Sequence, residues 1–272
     1  QLIHKESALY NIHFPETQND IKQALRYLKY EEFLKFQLTM QFIKQQRNQE
    51  TGIAKSFDTM KLQDFILALP YQLTKDQQTS IKEIIEDLKS SQMMYRFLQG
   101  DVGSGKTVVS SVALYANYLA GYQGALMAPT EILAAQHYAT LCDFFKATDV
   151  KIALLTGSLS MKEKNQLYEQ ISHHEIDIVV GTHALFQKKV EYASLGFVIT
   201  DEQHRFGVEQ RKALKNKGKQ VDFLIMSATP IPRTLAISMY GDMDVSTIKT
   251  MPVGRKPVIT KYIKSSSIDR KS

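Results

Sequence analysis

The segment from residue 100 to residue 107 constrains this chain most, because it reads Gly-Asp-Val-Gly-Ser-Gly-Lys-Thr. It fits the pattern G-x-x-x-x-G-K-[ST], in which glycines let backbone N–H groups turn inward around phosphate oxygens. An apolar run precedes the segment, and residues 108–119 read as a helix behind it. The positive end of that helix would add to an anion site. The pattern therefore predicts a phosphate-binding loop between a strand and a helix.

This loop supplies candidate ligands for a nucleotide and its metal ion. Lys106 would reach the β- and γ-phosphates, and the Thr107 hydroxyl would ligate Mg²⁺. The remaining positions would surround the phosphates through the backbone, and they are Gly100, Gly103, Ser104 and Gly105. The expected ligands are thus Mg²⁺ and a nucleoside triphosphate, which we expect to be ATP.

From residue 74 onward, apolar strand-like runs alternate with stretches of helical length. The runs cover residues 96–99, 124–128, 151–155, 177–180, 197–200 and 223–226. This alternation predicts an α/β fold, with a parallel sheet covered by helices on both faces. Ligands of such sheets bind beyond the carboxyl ends of the strands, and the polar motifs of this chain follow those runs directly.

Two further motifs complete the expected nucleotide site. Asp201 and Glu202 end a buried run, where Asp201 could hold Mg²⁺ and Glu202 could orient and deprotonate the attacking water. Paired acids at a strand end can also merely cap the next helix. Gln77 precedes the loop, and its amide could read both N6 and N7 of adenine, although Thr74 to Gln77 also reads as a helix start.

Small polar groups follow three other runs and are candidates for nucleic-acid contact. Thr130 and the first N–H groups of the helix after it could contact phosphates of a nucleic acid. Thr156-Gly-Ser158 and Gly181-Thr182-His183 also follow strands. Any one of these is ordinary turn chemistry, and only their joint position at one edge of the sheet favours a binding surface.

Charge and composition bound the class of protein. The net charge of +6 comes from two basic runs, within residues 205–219 and 255–271, which could bind a phosphate backbone or could form a solvated face. The single cysteine, Cys142, excludes an internal disulfide and favours a reducing cytoplasm. No apolar run of about 18 residues is present, so no membrane segment is expected.

The chain divides into three predicted regions. Residues 1–70 read as a helical linker with one long helix over about 19–49, residues 71–260 as the nucleotide-binding α/β domain, and residues 261–272 as a short segment after it. The start at Gln1, with neither a Met nor a secretory signal, suggests a piece excised from a longer protein.

Taken together, the motifs resemble those of the superfamily-two, DExH-type helicases, and more narrowly the bacterial RecG family of branch-migration helicases. The resemblance covers essentially the whole chain and rests on Gly100–Thr107, Ala128-Pro-Thr-Glu-Ile-Leu-Ala134, Val180-Gly-Thr-His-Ala-Leu185, Asp201-Glu-Gln-His-Arg-Phe-Gly-Val-Glu-Gln-Arg211 and Ser227-Ala-Thr-Pro-Ile-Pro-Arg-Thr-Leu235. It implies a P-loop NTPase (RecA-like) sheet and an ATP-dependent motor lobe for fork and Holliday junction remodelling in DNA repair and recombination.

The resemblance also implies roles for individual residues. Lys106, Asp201 and Glu202 would be catalytic, and Gln77 would read adenine. His204, Ser227 and Thr229 would couple the state of the nucleotide to DNA contact. The DNA path would include Thr130, Thr182 and His183.

The family pattern includes parts that this chain does not show. In the family, the arginine finger comes from a second helicase lobe, and a wedge domain grips the DNA junction. The resemblance implies that residues 71–260 are the ATP-binding helicase lobe and that residues 261–272 start the linker to the second lobe. The second lobe and the wedge domain would be partners of this lobe, with branched DNA as substrate. We therefore expect the chain alone to bind nucleotide weakly and to turn it over poorly. The alternatives are a lobe of a transcription-repair coupling translocase, a non-motor nucleotide-binding module, and a DNA-binding domain with a secondary ATP site.

Overall fold

The computed structural model describes residues 2–47, 51–201, 220–228 and 243–252. Its helices are α1 (Lys5–His13), α2 (Gln18–Arg47), α3 (Thr59–Leu67), α4 (Lys75–Lys89), α5 (Lys106–Leu119), α6 (Glu131–Phe145) and α7 (Met161–Ser172), with a short 3-10 helix at His183–Phe186. Its strands are β1 (Tyr95–Gly100), β2 (Gln123–Met127), β3 (Ile152–Leu155), β4 (Ile178–Gly181), β5 (Leu195–Asp201), β6 (Asp222–Ser227) and β7 (Asp244–Ile248).

The strands form one sheet in the order β3-β4-β2-β5-β6-β1-β7, and every pair in it is parallel. The prediction of a parallel α/β sheet is confirmed, and each of the six predicted strands forms within a residue or two of its expected bounds. β7 is an addition. Its sequence, Asp-Val-Ser-Thr-Ile, is too polar for the pattern of a buried strand. A polar sequence is tolerated there because β7 lies at the edge of the sheet and only part of it is covered.

Each face of the sheet has its own hydrophobic core. On one face Leu126, Phe197 and Ile199 pack beneath helices α3 to α6. On the other face, Ala125 and Val198, the strand neighbours of those residues, pack with α7 and the 3-10 helix. Successive side chains of a strand point to opposite faces, so continuous apolar runs are what a sheet covered on both sides requires.

The amino-terminal helices fall into two groups. α1 and α2 pack against each other through the fully buried Ala8 and Ala24, and Lys5 bridges to Glu31 of α2. α3 instead belongs to the core of the sheet domain, where Phe65 packs against Tyr115 of α5 at 4.4 Å between ring centroids. The division at residue 70 stays a prediction, while the packing places α3 with the lobe. Within the described ranges, no helix has the length and apolar content needed to cross a bilayer.

Candidate nucleotide-binding site

Three strand ends that carry predicted site residues lie side by side at the carboxyl edge of the sheet. β6 lies between β5 and β1, and the register pairs Asp201 with Met226 and Gln99 with Ser227. The loop after β1, the carboxylate that ends β5 and the serine that ends β6 therefore share one edge. This is where ligands bind in parallel α/β sheets.

The loop after β1 has the backbone shape that the motif predicts. Gly105 adopts a left-handed conformation with φ of 89° immediately before α5 begins. A Cβ atom at this position would lie 2.2 Å from Gln77 Nε2, so a larger residue would displace the Gln77 amide as well as strain the backbone. The Lys106 ammonium group folds over the loop and donates to the carbonyl oxygens of Gly100 at 2.7 Å and Asp101 at 3.0 Å.

Gln77 joins the start of α4 to the phosphate loop. Its Oε1 accepts from the backbone N–H of Thr74 at 2.9 Å, and the Thr74 hydroxyl accepts from the N–H of Gln77, which forms a capping box. Its Nε2 donates to the Ser104 carbonyl at 2.8 Å. The helix start predicted at Thr74 is confirmed. The amide oxygen can accept a second hydrogen bond and the amide nitrogen can donate a second one, and these positions could contact adenine. Reading of adenine by Gln77 stays a prediction.

Asp201 has a partner that the sequence did not indicate. Nε2 of His137, on α6, lies 2.6 Å from Oδ2 of the carboxylate. Both side chains are largely buried, with 12% and 16% of their surface exposed. A carboxylate only accepts hydrogen bonds, so the imidazole donates from Nε2, and no described side chain donates to the second carboxylate oxygen.

A cavity of about 760 Å³ opens over this edge. Lys106, Thr107 and Asp201 line it together, which brings the predicted phosphate and Mg²⁺ ligands to one place. Its volume is typical of small-molecule sites. The other lining residues come from the segment before α4, the phosphate loop, α6 and the ends of β6 and β7, and they are Tyr71, Gln72, Gln77, Val102, Gly103, Gly105, Leu133, Met226, Ala228 and Pro252.

The residues present fit a magnesium nucleotide. The buried Ser104 hydroxyl in the phosphate loop has no hydrogen-bond partner among the described residues, and a phosphate oxygen could accept from it. Mg²⁺ is commonly held by one or two carboxylates, phosphate oxygens and water, so Asp201 and the Thr107 hydroxyl suffice on the protein side. Within the described ranges, no cluster of three or more His, Cys, Asp or Glu side chains forms a separate metal site.

The candidate nucleic-acid residues occupy the other half of the same edge. Thr130 follows β2 and caps α6, where its hydroxyl accepts from Leu133 N at 3.3 Å. Thr182 and His183 follow β4, and Thr182 is buried whereas His183 is exposed. β4 and β2 are neighbours in the sheet, so these residues lie on adjacent strand ends. Their contact with nucleic acid stays a prediction.

Comparison with known proteins identifies the family of this chain. The family profile described as DEAD/DEAH box helicase matches residues 74–237. The chain belongs to the DEAD/DEAH box helicase family. The matched stretch contains the phosphate loop, the Asp201 box and Ser227, and the sheet agrees with the RecA-like fold of such helicases.

Individual helicases give a narrower similarity. The chain is 54% identical over 264 residues to the ATP-dependent DNA helicase RecG of Bacillus subtilis and 50% identical over 269 residues to that of Streptococcus pneumoniae. A solved structure of RecG bound to a three-way DNA junction superposes with a TM-score of 0.87 at 44% identity and covers 99% of this chain. The chain spans 39%, 40% and 36% of the length of these three proteins.

Several helicase residues predicted from the sequence lie outside the described residues. They are Glu202, His204, Thr229 and the two basic runs within 205–219 and 255–271. Ser227, the remaining predicted coupling residue, is buried at the end of β6. The roles of all these residues stay predictions.

Sequence reasoning missed two residues at the helicase site. His137 lies on the same face of α6 as Ala134 and Leu141, three residues after one and four before the other, and a histidine on an otherwise apolar stripe is the signal that could have found it. Tyr71 lines the cavity from the turn before α4, six residues ahead of Gln77. Nothing in its local sequence distinguishes it from an ordinary aromatic residue.

Proposed function

We propose that this chain is the ATP-binding motor lobe of a DNA helicase or translocase related to RecG. The observation that carries the proposal is the convergence of Lys106, Thr107 and Asp201 on one cavity at the carboxyl edge of the sheet. The similarity to RecG helicases over nearly the whole chain adds the substrate class, DNA.

The residues of the cavity divide the work on the nucleotide. Lys106 would bind the β- and γ-phosphates once its ammonium leaves the loop carbonyls, and Thr107 with Asp201 would hold Mg²⁺. When bound, Mg²⁺ neutralises charge that develops on the phosphates. Glu202 would orient and deprotonate the attacking water. Gln77 would read adenine with the second donor and acceptor positions of its amide, while its present bonds hold the loop to α4.

Coupling to DNA would use the rest of the same edge. Thr130, Thr182 and His183 would contact the DNA, and Ser227 at the end of β6 would act with His204 and Thr229 to transmit the state of the nucleotide. Because all these strand ends belong to one sheet, a small movement at the nucleotide can reach the DNA side through packed strands and helices. The γ-phosphate would thereby shift the lobe between two states.

The whole motor would contain more than this lobe. Branched DNA, including forks and Holliday junctions, is the substrate we propose for it, and a second helicase lobe and a wedge domain are the proposed partners within the longer protein. A row of exposed apolar side chains on α2 supports a packing partner for the helical layer, and it includes Tyr30, Phe33, Leu34, Leu38 and Phe42. Without an arginine finger, turnover falls by about 10³–10⁵, so this chain alone would turn over ATP poorly.

The test is binding and turnover of Mg·ATP by this chain with and without forked DNA, beside Lys106→Ala. We expect binding that the variant loses and little turnover stimulated by DNA. Absence of nucleotide binding by the wild-type chain would contradict the proposal. Turnover at the level of an intact motor would show that the finger is unnecessary. DNA affinity that falls with salt and ignores nucleotide would favour a DNA-binding domain with a secondary ATP site.

A further inference from the structure

The contact between His137 and Asp201 joins α6 to the carboxylate at the nucleotide cavity. Among the described residues, the imidazole is the only side-chain hydrogen-bond partner of Asp201, at 2.6 Å. The two residues are 64 positions apart in the chain and lie on different elements. Such a hydrogen bond fixes the rotation of a carboxylate, because one of its two oxygens is committed to a donor at a defined place.

α6 holds the imidazole in a defined position. The helix begins at the Thr130 cap and packs on the sheet through Ala134, Leu141 and Phe145, which are all buried. His137 lies on the same side of the helix, and its largely buried ring reaches Asp201, which lines the cavity. A polar ring at such a position needs a partner, and Asp201 provides it.

We propose that His137 is a positioning residue that orients Asp201 for Mg²⁺: Oδ2 accepts from the imidazole, and Oδ1 would be left for the metal. The inference rests on the proposed function, since it concerns the same nucleotide site. Hydrogen bonds to ligand side chains from outside the coordination sphere commonly decide metal affinity, and their loss typically costs 10–100-fold. Lys106 and Thr107 lie at the start of α5 and are not partners in this contact.

The geometry also gives α6 a consequence for coupling. The helix carries Thr130, a candidate DNA contact, at its first end and His137 two turns later. A displacement of α6 by a ligand at Thr130 would move the donor of Asp201. The metal-binding carboxylate is thus tied directly to one helix of the proposed DNA edge.

The test compares three variants in their Mg²⁺ dependence of nucleotide binding. His137→Leu removes the donor with little change in volume, and His137→Gln keeps an N–H donor at a similar reach. Gln136→Ala changes an exposed neighbour on α6 and serves as the control. Binding of a fluorescent ATP analogue is measured while Mg²⁺ is titrated and again in EDTA, and thermal unfolding checks that each variant folds.

We expect His137→Leu to raise the Mg²⁺ concentration for half-maximal binding by about tenfold, with binding in EDTA unchanged. His137→Gln should recover most of the loss, and Gln136→Ala should match the wild type. A wild-type Mg²⁺ dependence in His137→Leu would overturn the inference. An equal loss in the Leu and Gln variants, accompanied by weaker binding in EDTA, would also overturn it, because it would indicate a purely structural role.

Failure of the inference is distinguishable from failure of the proposed function. If the wild-type chain binds the analogue in a Mg²⁺-dependent manner and only the histidine comparison fails, the nucleotide site stands and His137 has no part in it. If the wild-type chain does not bind the analogue at all, the proposed function itself is contradicted.

Discussion

The two edges of the sheet each carry a lysine and an aspartate, and the two pairs have opposite surroundings. At the amino edge, Lys55 ion-pairs with Asp222 at the start of β6, and both residues are 3% exposed. The lysine also donates to the Gly196 carbonyl at 3.0 Å, and Asp222 accepts from Met94 N at 2.7 Å. This edge is closed, since the charges are satisfied by the chain itself.

At the carboxyl edge, Lys106 and Asp201 line an open cavity. The ammonium group contacts loop carbonyls and the carboxylate contacts His137, so both remain beside space that a ligand can enter. The comparison teaches that residue type alone does not separate a buried structural pair from residues that a ligand can reach. Burial and the identity of the partners separate them, and the two edges should respond differently to substitution.

The largest expected effect follows from breaking the amino-edge pair. Asp222→Asn keeps an acceptor for Met94 N and leaves the Lys55 charge buried without a counter-ion. Burial raises the pKa of Asp222, although the attraction of Lys55 opposes this shift. We expect the free energy of unfolding to fall by about 3–5 kcal/mol, measured by denaturant unfolding.

An exposed pair provides the matched control for this prediction. Lys82 and Glu86 lie one turn apart on α4 at 3.9 Å, and both side chains are mostly exposed. Lys82→Ala should change the free energy of unfolding by about 1 kcal/mol or less, because such pairs are screened by water. Equal effects of Asp222→Asn and Lys82→Ala would contradict the distinction between a closed edge and the surface.

The next prediction compares alanine substitutions at two glycines, Gly105 and Gly121, and separates the cost of backbone strain from the cost of a steric contact in the phosphate loop. Gly105 and Gly121 both have a positive φ, 89° and 82°, which costs an alanine about 1–2 kcal/mol. A Cβ at Gly121 meets nothing within 4 Å, whereas a Cβ at Gly105 meets Gln77. Gly105→Ala should therefore destabilise the chain more than Gly121→Ala does.

Nucleotide binding gives this pair of variants a second measurement. Gly105→Ala should lose affinity for a fluorescent ATP analogue because the loop must move away from Gln77, while Gly121→Ala should retain it. Equal stability and equal affinity in both variants would mean that the close approach to Gln77 has no role in shaping the loop.

The smallest expected effect concerns an exposed hydrogen-bonded carboxylate at the carboxyl edge. Asp76, at the start of α4, accepts from the backbone N–H and the hydroxyl of Thr250 and from the N–H of Lys249, and these bonds lower the pKa of Asp76. A lowered folded-state pKa adds stability above the unfolded value of about 3.9. That contribution is lost as the pH falls through the lower, folded-state pKa.

The position of the Thr250 amide proton in NMR spectra checks this prediction. It should change with pH below about 4 in the wild-type chain and stay constant in Asp76→Asn, while circular dichroism confirms that the fold persists. A Thr250 amide that titrates in the same way in both proteins would show that Asp76 does not hold the segment after β7.

Local patterns predicted much of this fold because they act within a few residues. Apolar runs located β1 to β6, and the polar motifs directly after them marked the carboxyl edge of the sheet. β7 was not predicted, because the edge of a sheet tolerates polar residues. Ser246 and Thr247 interrupt its apolar positions, so the segment lacks the apolar run of a buried strand. The same reasoning read α1 and α3 only as part of a helical linker, since short helices give a weak periodic signal.

Partners across the sheet could not be predicted in this way. His137 and Asp201 are 64 residues apart, and Lys55 and Asp222 are 167 residues apart. No local period relates such positions, because their contact depends on strand order and on the packing of helices over the sheet. The sequence therefore predicted candidate groups for phosphate and metal, but not which distant residues would contact the aspartates.

The most direct test of the account is the thermal stabilisation of the chain by Mg·ATP in three proteins, wild type, Lys106→Ala and Asp222→Asn. A ligand at 100 times its dissociation constant adds about 2.7 kcal/mol. We predict a nucleotide-dependent rise in Tm for the wild type and for Asp222→Asn, which starts from a lower Tm, and no rise for Lys106→Ala, which starts near the wild-type Tm. A rise that survives in Lys106→Ala, or is absent from the wild type, would contradict the assignment of the carboxyl edge as the nucleotide site.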